Sequence, residues 1–159
     1  MWDGGQNYKG SEYHGAYPPG YMKRVKSLFP DLWIGSVHLF SGSLAHDPDI
    51  VRIDLNSGTN PDIVIDAEAM PSHLPGNRSL IVADPPYTEE DANHYGTIMI
   101  NRKKVIAECH RVLRSGGFLV WLDQVRPMYR KTDWNLVGAI GFIRSTNHRM
   151  RLITILEKR

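Results

Sequence analysis

Apolar residues in this chain come in short runs, and several of the runs stop at an acid. Val37, Leu39 and Phe40 mark a strand over about 35–41, and Ile50 to Leu55 and Ile63 to Asp66 mark two more. Leu80-Ile81-Val82-Ala83 is continuously apolar, the pattern of a strand buried on both faces, and Phe118 to Leu122 repeats it. Segments at about 142–147 and 150–157 lie close enough to form a terminal hairpin. Helical spacing joins Tyr21, Val25, Leu28 and Phe29 between Pro19 and Pro30. It returns over roughly 98–114 through Ile98, Val105, Ile106, Cys109, Val112 and Leu113, with Gly116 and Gly117 as terminators. A weaker helical pattern covers about 129–139, and residues 1–16, rich in Gly and Tyr, read as an arm or loop. Strands with interposed helices predict an α/β fold.

Asp54, Asp66, Asp84 and Asp123 each stand at or near a predicted strand end. In an open parallel sheet, ligands bind beyond the carboxyl ends of the strands, so four acids along one edge mark a candidate site. The connections 42–49 and 55–63 are too short, and too rich in Gly and Pro, for crossover helices. One sheet face near these strands is therefore expected to lack helical cover, leaving a partner subunit or a second copy to supply it.

Composition narrows the picture. With 159 residues the chain is expected to form a single domain, 1–159. No apolar run is long enough to span a bilayer, and the N-terminus has neither the basic start nor the apolar stretch of a signal peptide. Cys109, the sole cysteine, fits a reducing cytoplasm and an inert core thiol, and the seven histidines show no metal-ligand spacing. A net charge of +2 does not announce nucleic-acid binding. Basic residues are nevertheless grouped, as Lys23, Arg24 and Lys26, as Arg102, Lys103 and Lys104, as Arg126, Arg130 and Lys131, and as Arg144, His148, Arg149 and Arg151. Each group reads equally well as a phosphate contact or as a solvated surface.

The sharpest chemistry is Asp84-Pro85-Pro86-Tyr87, which follows the run 80–83. Neither proline can continue a ladder, so the strand stops with a carboxylate and prolyl carbonyls as fixed acceptors and an aromatic face beside them. That set suits a planar ring bearing an exocyclic amine. The tetrapeptide resembles the catalytic motif of the S-adenosylmethionine-dependent amino-methyltransferases, chiefly the DNA adenine-N6 and cytosine-N4 enzymes, with close variants in RNA guanine-N2 and protein-glutamine enzymes. The resemblance implies a class I, Rossmann-like, mostly parallel seven-stranded sheet ending in an antiparallel hairpin, with S-adenosyl-L-methionine as cofactor. Asp84, Pro85, Pro86 and Tyr87 would be the catalytic residues.

Other segments fit the same family. Phe40-Ser41-Gly42-Ser43 resembles its Phe-x-Gly-Ser-Gly cofactor loop, although Leu44 replaces the last glycine. Asp54 matches the ribose-binding acid, and Asp66 with Ala67 matches the segment that holds the cofactor's adenine. His14, Tyr17 and Pro18, ahead of the first helix, resemble the N-terminal motif that covers the cofactor's methionine end. Gly42 and Asp54 stand closer together than the roughly twenty residues of the dinucleotide pattern.

The resemblance leads to an expected transfer of methyl to an exocyclic amine of a nucleic-acid base, foremost adenine N6, with DNA ahead of RNA as partner and no membrane. The family's target-recognition region has no counterpart in the chain, which leaves two alternatives open. One is an amino-methyltransferase for RNA, a small molecule or a protein amide. The other is a non-catalytic subunit with the cofactor fold.

Overall fold

The computed structural model describes residues 1–4, 17–72, 74, 77–94, 99–144 and 149–159. Among these described residues, eight strands form one sheet: β1 (Trp2–Gly4), β2 (Ser36–Leu39), β3 (Ile50–Asp54), β4 (Ile63–Val64), β5 (Arg78–Ala83), β6 (Leu113–Asp123), β7 (Trp134–Arg144) and β8 (Met150–Lys158). Three α-helices accompany them among the described residues: α1 (Tyr21–Leu28), α2 (Glu89–His94) and α3 (Arg102–Val112). The strand order is β1-β7-β8-β6-β5-β2-β3-β4, and β8 alone runs antiparallel to its neighbours β6 and β7.

Alternation along the central strands divides the core into two layers. Ile81 and Ala83 of β5, with Leu119 and Trp121 of β6, face Val105, Ile106, Cys109 and Val112 of α3. Leu80, Val82, Val120 and Leu122 point the other way, toward Tyr21 and Val25 of α1 and Trp33. Cys109 is fully buried, and burial pushes its thiol pKa up, which suits an inert core residue.

The sequence expectations hold at the center of the sheet and fail near its ends. Residues 129–139 form no helix, because Trp134 onward is a strand whose ladder with β8 runs from Trp134 to Ile143. Gly138 and Gly141 disfavour a helix there, and the ladder shifts register between Leu136 and Gly138. Gly116 and Gly117 do not end α3, which stops at Val112. Buried Leu113 already pairs with Arg78, and the two glycines shape an irregular start of β6. Gly116 has φ 71°, and a Cβ on Gly117 would meet the Arg114 and Arg78 carbonyls at 2.9 and 3.0 Å. Lys158 Nζ instead donates to the carbonyls of His110 and Leu113 at the end of α3. The start of the chain is not wholly an arm, since Trp2–Gly4 adds an eighth strand parallel to β7.

The short connections appear as expected. Only turns join β2 to β3, and a single 3-10 turn, Ser57–Thr59, lies between β3 and β4. Right-handed crossovers would have placed their helices on the α1 face. On that face, Arg52 projects from β3 and holds both connections. Its guanidinium donates to the Leu44 carbonyl at 2.8 Å, the Asn60 carbonyl at 3.1 Å, and both oxygens of Asp62. Arg52 is only 6% exposed, so the side chain fills space that a helix would occupy.

Candidate active site

The carboxyl edge of β2, β3, β4 and β5 gathers most of the residues predicted for the site. After β2, Phe40 adopts φ 57° and Gly42 φ 50°, turning the chain sharply. A left-handed phenylalanine is costly and persists only where its surroundings enforce it. Asp54, the last residue of β3, supplies that enforcement. One of its carboxylate oxygens accepts the Gly42 amide at 2.8 Å and the other the Asn56 amide at 2.9 Å. Each oxygen retains lone-pair capacity for a further donor.

Asp66 lies two residues beyond β4 and caps the 3-10 turn Ala67–Ala69 by accepting the Glu68 amide at 2.8 Å. Glu68 in turn accepts the Asn101 amide and pairs with Lys104 at 3.1 Å, tying this loop to the start of α3. The Asn101 amide, followed by Lys104, lowers the Glu68 pKa.

Asp84 follows β5 directly, and Tyr87 donates its hydroxyl hydrogen bond to Asp84 Oδ1. Tyr17 stacks on Tyr21 with ring centroids 5.5 Å apart, and its hydroxyl donates to the Leu39 carbonyl. Burial raises the pKa of Tyr17, Tyr21 and Tyr87, and the charge of Asp84 raises each further. All three phenols therefore remain protonated donors around one carboxylate. Tyr17, Pro18, Lys23, Ser43 and Leu44 also line a cleft of about 310 Å³ between α1 and the loop after β2. The strand-end acids lie outside that cleft. His14 lies outside the described residues.

Asp123 is at the same edge but has a different role. Arg102 Nε donates to it at 2.7 Å, Trp121 Nε1 at 3.2 Å and the Gln124 amide at 2.7 Å. Arg102 also reaches the Tyr87 carbonyl at 3.4 Å, so this ion pair braces the Asp84–Tyr87 loop from behind. A second arginine, Arg151 of β8, lies over the Tyr87 ring, with Cζ 4.7 Å from its centroid. Sequence reasoning put both arginines in generic basic clusters, and nothing in their spacing distinguishes them.

No family model and no curated protein matches the sequence. Solved structures do resemble the fold. TrmN from Thermus thermophilus superposes with TM-score 0.67 at 16% identity, over 92% of this chain and 50% of TrmN. This chain thus spans half the length of that protein. The N-methyltransferase NodS from Bradyrhizobium japonicum WM9 gives 0.56 at 14% identity, over 86% of this chain and 93% of NodS. The 1,6-didemethyltoxoflavin-N1-methyltransferase from Burkholderia thailandensis, solved with 1,6-didemethyltoxoflavin and S-adenosylhomocysteine, gives 0.54 at 11% identity, over 86% and 77%. Strand order, the single antiparallel strand and these likenesses agree that the chain has the Rossmann-like class I methyltransferase fold.

Proposed function

We propose that this chain is an S-adenosylmethionine-dependent N-methyltransferase acting on an amine carried by a planar ring. The observation that carries the reading is Asp84-Pro85-Pro86-Tyr87 at the carboxyl end of a central parallel strand, beside the loop clamped by Asp54. Two structures with related folds carry N-methyltransferase names, which supports nitrogen as the acceptor.

The residues at this edge fit the cofactor. Asp54 offers acceptor capacity for ribose hydroxyls, and Asp66 with the Ala67 amide offers partners for adenine. Ser41 Oγ and the Tyr21 hydroxyl are buried without a hydrogen-bond partner among the described residues, as expected of donors awaiting a ligand. When bound, S-adenosylmethionine supplies an electrophilic methyl group. The chain's task is then to present nitrogen to it. Asp84 and the Pro85 carbonyl accept the amine's hydrogens, which favours a pyramidal nitrogen with its lone pair released from the ring. Tyr87 holds the Asp84 carboxylate in place. Positioning and fixed dipoles supply most of the rate gain in such a site.

Duplex DNA is the less favoured substrate. Several cations that could follow a phosphate backbone already serve the fold. Arg24 lies over Trp2, Lys26 over Trp33, Arg102 on Asp123 and Lys104 on Glu68. A small-molecule amine, which needs no row of backbone cations, fits this surface better. The test is transfer of a tritiated methyl group to RNA, DNA, nucleotide and protein pools, with product identification. Failure to bind S-adenosylhomocysteine would sink the reading.

A further inference from the structure

We infer that Arg151 is the substrate-anion reader of this site, so that the acceptor is a nucleotide whose phosphate sits beside the ring that carries the amine. The inference rests on the function proposed above and names its substrate class.

The two arginines flanking Tyr87 are in opposite electrostatic states. Arg102 is neutralised by Asp123 and holds the backbone of the loop. Arg151 has no carboxylate partner among the described residues, and its guanidinium rests on the Tyr87 ring. It projects half-buried from β8, opposite Phe142 of β7 and next to Leu152, where the β6 ladder begins, so its backbone is fixed by the sheet on the β7 side. A guanidinium held over an aromatic face is a weak, exchangeable contact. The same planar fork binds a phosphate through two parallel hydrogen bonds.

This arrangement links recognition to stacking. A substrate ring can lie on that face of Tyr87 only where the guanidinium gives it up. A neutral ring would displace the cation and leave it without compensation. A ring attached to a phosphate offers Arg151 a stronger partner as it takes the aromatic face. Tyr87 donates to Asp84, so the exchange takes place next to the candidate catalytic carboxylate.

The test is calorimetric titration with adenosine 5′-monophosphate and adenosine, each in the presence of S-adenosylhomocysteine. The nucleotide should bind about tenfold or more tightly than the nucleoside, as expected for a charge-assisted bidentate contact. The preference should shrink to within about twofold in Arg151→Gln and recover in part in Arg151→Lys. In the wild type, the Arg151 Nε–H resonance should shift with the nucleotide and not with the nucleoside, a readout that no loss of folding in a variant can obscure. Equal binding, no binding by either compound, or a preference that survives Arg151→Gln would overturn the inference. A chain that transfers methyl groups without this preference loses the inference alone. One that shows the preference but binds no S-adenosylhomocysteine loses the methyltransferase reading alone.

Discussion

His38 sits on β2 two residues ahead of the turn at Phe40, and acid should destabilise the fold through it. The side chain is fully buried, its ring edge-on to Trp33 at 5.1 Å and to Tyr17 at 6.4 Å. Nε2 shares a 3.0 Å hydrogen bond with Ser36 Oγ, and Nδ1 has no partner among the described residues. Burial lowers its pKa from 6.5 to about 4, against a smaller opposing pull from Asp47. A histidine with a depressed folded pKa binds its proton more readily unfolded, so stability falls as pH drops from 6.5 to about 4 and is level outside that window. At about 1.4 kcal/mol per pKa unit, the loss is about 2 kcal/mol at pH 5 and approaches about 3.4 kcal/mol at the acid end. Urea unfolding of wild type and His38→Gln at pH 7.5, 6.5, 5.5 and 4.5 isolates this contribution, because the carboxylates titrate alike in both proteins. The wild type should lose stability relative to the variant below pH 6.5. Parallel curves would refute the reasoning.

Asp84→Ala should abolish methyl transfer while S-adenosylhomocysteine still binds within a few-fold of wild type; near-normal turnover would remove Asp84 from the chemistry. Asp54→Ala should weaken S-adenosylhomocysteine at least tenfold by calorimetry, because it removes the cofactor acceptor and frees the Gly42 and Asn56 amides together. Asp62→Ala leaves the buried Arg52 guanidinium without its carboxylate and should cost about 3 kcal/mol in urea unfolding. A cost below about 1 kcal/mol would mean that the Leu44 and Asn60 carbonyls suffice.

The central sheet was legible because its signal is local. A continuous apolar run such as Leu80 to Ala83 can bury both faces only in the middle of a sheet, and the acids that end such runs mark the carboxyl edge. The periphery was less legible because partners distant in sequence decide it. Residues 134–139 have helical spacing on paper, but β8 offers a ladder that extends to Lys158. The four strand-end acids show the same limit at the site. Asp54 clamps a loop, Asp66 caps a turn, Asp84 meets a tyrosine and Asp123 is matched by Arg102. Their positions were readable, but their occupations depend on which donor the fold delivers.

Arg52 shows how the short crossovers and the site depend on one another. A sheet face without its helices exposes apolar side chains and leaves the loops at its carboxyl end without a platform. Here one guanidinium reaches the loop after β2 through Leu44 and the loop after β3 through Asn60 and Asp62. The first of these loops carries Gly42, whose amide closes back on Asp54, the last residue of the neighbouring strand β3. Arg52 and Asp54, two residues apart and so on the same face of β3, therefore brace the same turn, one through a carbonyl and the other through an amide. Loosening either contact should shift the Phe40–Gly42 turn, so cofactor affinity and stability are coupled through this strand. Asp62→Ala tests the coupling directly: it touches no predicted cofactor residue, yet it should weaken S-adenosylhomocysteine severalfold. Unchanged affinity in a destabilised variant would show that Asp54 holds the turn by itself.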